Sequence, residues 1–180
     1  VSNIRRNSVG VALVKTNGEE YVGDTVTRTQ EEFTGRFCEA SIGHIVDMFG
    51  KDLMSEEYFD ELVELPIETK PIPIMDRTAV NRPFLTGVTG IDMIYPIGRG
   101  QRQLILGDKK TGKTQLCLDA IVNQKDQKVV CIYVAVGKTK KEVKEIYTEL
   151  LRRGAMEYTL ILAAFNDECP PVLRNTPFVG

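Results

Sequence analysis

The sequence predicts an α/β fold, a parallel sheet with flanking helices, preceded by part of a small β domain. Three observations carry that expectation. From Thr86 onward, apolar strand-like runs alternate with amphipathic helical segments. A glycine loop, Gly107-Asp108-Lys109-Lys110-Thr111-Gly112-Lys113-Thr114, stands between the first such run and the first such helix. The first fifty residues instead hold short β-branched pieces separated by turn residues.

Residues 9–14 (Val-Gly-Val-Ala-Leu-Val) are a short apolar run, followed by the turn signal Asn17-Gly18. Tyr21-Val22 and Thr25-Val26-Thr27 flank Gly23-Asp24 and read as hairpin strands. Short pieces continue to Gly43 through Gly50, so 1–50 reads as hairpin material from a small β domain. Residues 51–82 read as an acidic, proline-rich connector. Glu56, Glu57, Asp60, Glu61 and Glu64 crowd its first part, where 55–63 has the makings of a short acidic helix. Pro66, Pro71, Pro73 and Pro83 argue against regular structure after that.

Residues 83–180 form the third unit. Gln103–Leu106 is a predicted strand leading into the glycine loop. The helix after the loop sets Leu116, Ala120 and Ile121 on one face. Val129–Val136 is a continuous apolar run, as in a parallel strand covered on both faces. Thr139 is placed to cap the next helix, which carries Val143, Ile146, Tyr147 and Leu150 on one stripe. Arg152 and Arg153 suit the negative end of that helix, and Gly154 its C-cap. Thr159–Phe165 is a second buried strand. The order implies right-handed crossovers and an open parallel sheet.

Composition narrows the possible partners. A net charge of -2 over 180 residues offers no field for gathering a phosphate backbone, which argues against nucleic acid. No apolar run has the length of a membrane span, and the N-terminus lacks a signal-peptide pattern. Val1 in place of Met suggests a fragment or a processed product. Cys38, Cys117, Cys131 and Cys169 show no metal-ligand spacing, and Cys117 and Cys131 sit in apolar segments. Free thiols in a reducing compartment are expected, with His44 an exposed loop residue rather than a ligand.

The loop matches G-x-x-x-x-G-K-[ST] at every required position, with strand before and helix after. Gly107 and Gly112 allow torsions and close approaches that a β-carbon would block. N–H groups from Lys109 through Thr114 can then cradle a phosphate, reinforced by the positive end of the following helix. Lys113 would reach the β- and γ-phosphates and the Thr114 hydroxyl would ligate magnesium. Lys109 and Lys110 add positive charge at the rim. The expected ligand is a nucleoside triphosphate with Mg²⁺.

Hydrolysis needs in addition an acceptor that orients water, and the end of the neighbouring strand is a good place for it. That strand ends in Val136-Gly137-Lys138-Thr139, and a charged lysine only donates. Glu142 and Glu145 fall inside the following helix, on its expected solvent side. No apolar run after the loop closes in a Walker-B type Asp, and Asp167 is a weak substitute.

Arg82-Pro83-Phe84-Leu85-Thr86-Gly87, Gly90-Ile91-Asp92 and Pro96-Ile97-Gly98-Arg99-Gly100-Gln101-Arg102, leading into the loop, resemble the α subunit of F-type ATP synthases. That family reads GDRQTGKT after PIGRGQR. Cys131–Gly137 and Tyr158–Phe165 continue the likeness, and Asn7–Val11, Gly23–Val26 and Gly43–Gly50 extend it upstream. The resemblance runs nearly end to end, patchily over 30–75. It implies a RecA-like nucleotide-binding domain, of which the chain would hold about half, behind part of a β-barrel.

The resemblance also implies an ATP-binding, non-catalytic subunit. The family's catalytic β subunit has glutamate directly after the glycine matching Gly137, and its α subunit has glutamine. Lys138 stands there in this chain, a departure from both patterns, as are Lys109-Lys110 in place of Arg-Gln; a divergent member is implied. The implied partners are catalytic β subunits in an alternating hetero-hexamer and a central-stalk γ subunit, peripheral to a bacterial plasma membrane or an organelle inner membrane. The Walker-B acid, the arginine lent to the β site and the adenine contacts would lie beyond Gly180. Two other readings stand beside this one: an active ring ATPase of a secretion or motility motor, and an interaction module with a relic loop.

Overall fold

The computed structural model describes residues 3–14, 18, 20–27, 33–67, 69 and 71–180. Its organising element is a three-stranded parallel sheet made of β4 (Ile45–Val46), β8 (Cys131–Lys138) and β9 (Thr159–Phe165) in the order β4-β9-β8. Ile45 pairs with Ile161 and Val46 with Leu162, while Cys131 to Ala135 run in register with Thr159 to Ala163. All seven residues of β9 are buried. A strand covered on both faces gives an unbroken apolar run instead of alternation, and Thr159–Phe165 is such a run.

Alternate β9 residues serve different neighbours. Ile161, Ala163 and Phe165 share a core with Leu118 and Ile121 of α2 (Lys113–Val122) and with Val143, Ile146 and Leu150 of α3 (Lys140–Arg152). Leu160 and Leu162 pack with Val46, Val134 and Val179, and Ala164 packs with Val172. Val172 and Val179 belong to α4 (Pro170–Val179), whose first turn tolerates two prolines because its N–H groups have no helical acceptor. The expected strand Thr159–Phe165 is thus seen with the same limits, and Val129–Val136 as a strand two residues further on.

α3 forms for reasons written in its ends. The Thr139 hydroxyl accepts from the Glu142 N–H while the Glu142 carboxylate accepts from the Thr139 N–H, a reciprocal capping box. At the other end Gly154 has φ +69, the Gly154 N–H reaches Leu151 O at 3.0 Å and the Ala155 N–H reaches Leu150 O at 2.9 Å. That pair of bonds is a Schellman stop. Arg153 ties the helix to α2, with its Nη1 2.6 Å from Asp119 Oδ1 and its Nε 2.6 Å from Glu149 Oε1.

Several expectations do not survive. Gln103–Leu106 is no strand: Leu104 and Leu106 are exposed and no described strand runs beside them. Apolar sequence suits a strand, but a strand exists only where a neighbour satisfies its backbone. Tyr21–Thr27 holds no strand either. The Tyr21 N–H donates to Asp24 Oδ2 at 2.8 Å, making a local turn, and Val22 and Val26 stay exposed. The N-terminal hairpin pairs β1 (Asn3–Arg5) with β2 (Ser8–Gly10), ahead of the expected turn, and Asn17 lies outside the described residues.

Residues 55–63 are not helical, because the Asp52 carboxylate takes the Met54 N–H and the Ser55 hydroxyl and bends the chain. The chain then enters β5 (Val63–Pro66), antiparallel to β3 (Thr34–Phe37). Two of the prolines stand at strand limits, where a missing N–H is tolerated: Pro66 closes β5 and Pro83 opens β6 (Pro83–Phe84). β6 pairs with β7 (Ile97–Gly98), and α1 (Thr89–Ile94) lies between them. The parallel sheet draws β4 from one side of the boundary expected at residue 50 and β8 and β9 from the other.

Leu150 is fully buried against the sheet. Leu150→Ala is expected to cost about 2–5 kcal/mol, and Thr139→Ala about 1 kcal/mol through the lost cap; urea denaturation of the chain measures both, and equal midpoints would contradict this packing. Hydrogen bonds from Arg152 and then Arg153 hold the Glu149 carboxyl at about 2, below its usual 4.5. A depressed carboxyl stabilises the fold fully above pH 4.5 and loses that contribution as pH falls through about 2. NMR titration is expected to give that midpoint, and Arg153→Gln to move it upward.

Candidate functional site

The loop from Gly107 to Thr114 leads directly into α2. Gly112 is the N-cap of that helix with φ +90, a left-handed conformation that favours glycine, and no side chain caps the first turn. At Gly107 a β-carbon would come within 2.8 Å of Thr111 Oγ1, so any larger residue would have to displace the Thr111 hydroxyl. Lys110 also takes a positive φ, +66, in the turn that Lys109 and Lys110 form.

Lys113 folds back over the loop. Its ammonium donates to Gly107 O at 2.7 Å, to Asp108 O, and to Thr111 Oγ1 at 3.3 Å. The Thr111 hydroxyl in turn donates to Asp108 O at 2.8 Å. The loop therefore holds its own cation between backbone carbonyls, with the uncapped N–H groups of α2 beside it. Such an arrangement is suited to an anion. Asp108, Lys109 and Lys110 are exposed on the rim, and Thr114 is exposed on the first turn.

Two residues outside the loop bear on it. Burial pushes the phenol of Tyr133 of β8 up, the charge of Cys117 adds to that, and Thr114 opposes it. Glu142 is exposed, as the sequence indicated, but its carboxylate turns back toward the N-terminus of α3. Oε2 accepts from the Thr139 N–H at 2.9 Å and the Thr139 hydroxyl at 2.8 Å. These bonds hold the Glu142 carboxyl below its usual range, helped by nearby Lys138 and Lys109. Glu142 thus relates the rim of the loop to the end of β8. The capping-box spacing Thr139-x-x-Glu142 was the signal for this, whereas nothing in sequence singled out Tyr133.

Lys138 closes β8 after a register irregularity at Gly137, whose φ is +68, and pairs with Phe165. Asp167 is exposed just past β9. Elsewhere, His44 is half-buried, with Nδ1 3.1 Å from Asp52 Oδ2 and its ring edge-on to Phe59, a structural role. All four cysteines are free, and burial pushes the Cys117 and Cys131 thiols up. No cluster among the described residues has the composition of a metal centre.

Known proteins match this chain throughout. The model of the ATP synthase alpha/beta family, nucleotide-binding domain, matches residues 87–180. A protein of Pediococcus pentosaceus named ATP synthase subunit alpha is 39% identical over 180 residues, covering 100% of this chain and 36% of that protein. Proteins of the same name from Lactobacillus johnsonii (42% identical over 180 residues) and Limosilactobacillus fermentum (38% over 178) each cover 99% of this chain and 35% of their own length. The chain therefore spans about a third of the relatives it matches.

The left-handed Gly112 gives a direct test. Gly112→Ala is expected to destabilise by about 1–2 kcal/mol, while Gly90→Ala, with open space and no positive φ, has no such strain. Thermal denaturation of both variants measures the difference, and equal melting temperatures would refute the left-handed cap.

Proposed function

Because the chain belongs to the ATP synthase alpha/beta family, we propose that it is the nucleotide-holding part of an F-type α subunit and binds Mg-ATP or Mg-ADP at Gly107–Thr114. The observation that carries this is Lys113, an ammonium poised between loop carbonyls beside the uncapped start of α2. The backbone from Lys109 to Thr114, with Lys113, would hold the phosphates, and the exposed Thr114 hydroxyl would be a magnesium ligand. Bound magnesium would neutralise phosphate charge. On this reading 83–180 is the first half of a RecA-like domain, 1–50 the end of a β-barrel and 51–82 the connector.

The subunit itself is non-catalytic on this reading, since Lys138 at the end of β8 can donate a proton but cannot accept one from water while charged. It would stand in a ring with catalytic β subunits around a central γ subunit, peripheral to the membrane. No helix among the described residues is long and apolar enough to cross a membrane. A second reading, an active ring ATPase, draws on Glu142, whose carboxyl is held below its usual range by Thr139, with Lys138 and Lys109 of the loop rim adding to that.

Isothermal titration of the full chain with Mg-ATP is expected to show saturable binding, weakened at least about tenfold by Lys113→Ala through loss of charge-assisted hydrogen bonds. Absence of binding by the parent would leave only a relic loop. In the assembled ring, Glu142→Gln is expected to leave hydrolysis at this site negligible and unchanged; turnover abolished by Glu142→Gln would establish the second reading.

A further inference from the structure

The other end of α2 carries a feature that the nucleotide reading does not use. There the β6–β7 ribbon and the turn just after the helix border an open cavity of about 430 Å³, lined by Arg82, Leu85, Arg99, Asn123, Gln124 and Gln127 among others. The volume lies within the roughly 300–1,000 Å³ of small-molecule sites. Its wall is fixed: the Asn123 and Gln124 amides donate to Leu85 O at 2.9 and 2.8 Å, and Gln124 is 2% exposed.

The charge of this cavity is one-sided. The Arg99 N–H donates to Arg82 O at 2.9 Å, which puts the two arginines opposite each other across the ribbon. Like charges directly opposite are destabilising unless something neutralises them. Neither guanidinium has a carboxylate within ion-pair distance among the described residues, and no acid lines the cavity. Among the described residues, the only side-chain hydrogen bond of Arg99 is a long one, 3.5 Å, to Gln127 Oε1. Two guanidinium forks without a carboxylate partner among the described residues match a phosphate group, which offers several acceptor oxygens to bidentate donors. The volume leaves room for an organic portion beside Leu85.

We propose that Arg82 and Arg99 form a second oxyanion site, for inorganic phosphate or a small phosphate monoester, separate from the loop at 107–114. The site stands whether or not the loop holds nucleotide. In the full chain carrying Lys113→Ala, NMR titration with inorganic phosphate and, separately, glycerol 3-phosphate is expected to shift the Arg82 and Arg99 Nε–H and Gln127 side-chain signals saturably, with sodium chloride at matched ionic strength as control. Tighter binding of the ester identifies a monoester site; tighter binding of inorganic phosphate identifies a phosphate site. Arg82→Gln with Arg99→Gln is expected to weaken binding at least tenfold. Arg99→Lys, which keeps the charge and loses the fork, is expected to weaken it at least threefold and serves if the double variant does not fold. Shifts that are absent, that chloride reproduces, or that survive these substitutions would overturn the proposal.

Discussion

The structure depends on one strand being dry on both sides. β9 is bonded by β4 and β8 at its edges and covered by α2 and α3 on one face and α4 on the other. Its seven residues are all buried, and alternate residues anchor opposite layers. At roughly 25 cal/mol per Å² of apolar surface removed from water, a strand of this kind is where tertiary packing concentrates. The ends of β8 and the starts of α2 and α3 are located relative to that strand. The loop at 107–114 is therefore placed by a core that lies mainly behind it.

The loop contributes little packing of its own. All eight residues except Lys113 are exposed, and what shapes them is backbone conformation together with Lys113 hydrogen bonds. This division between a buried frame and a polar loop lets charge be arranged where core packing does not forbid it. Across from the loop, Glu142 relates Lys109 to Lys138, so the β8 end is electrically part of the same surface.

Legibility in the sequence followed the range of the interactions involved. β9, α3 and its two caps were readable because their determinants are local: an unbroken apolar run, Thr139 ahead of an amphipathic stripe, Gly154 after two arginines. The glycine loop was readable for the same reason. Gln103–Leu106 misled because pairing is non-local, and an apolar stretch does not state its neighbour. β4 was invisible as part of the main sheet, since two residues at 45–46 meet their partners at 161–162. α4 starts with two prolines in its N-terminal turn and holds a third inside, so its sequence carries no plain helix signal. The Arg82–Arg99 apposition needed the β6–β7 register.

The three longest helices show why only one of them starts in a way suited to an anion. α3 closes its N-terminus with its own Thr139 and Glu142, the latter already a negative charge at the positive end of the helix. α4 begins with Pro170 and Pro171, so two of the first N–H donors do not exist. α2 begins at a left-handed glycine, has no side-chain cap, and holds a lysine ammonium over the preceding carbonyls. Orphan N–H groups at a helix start are satisfied by a side chain, by water or by a ligand. In α3 the first means is built in and in α4 the donors are partly deleted. α2 alone of the three leaves its donors for something outside the chain, and the residues that do so, Gly112 and Lys113, are the ones the motif requires.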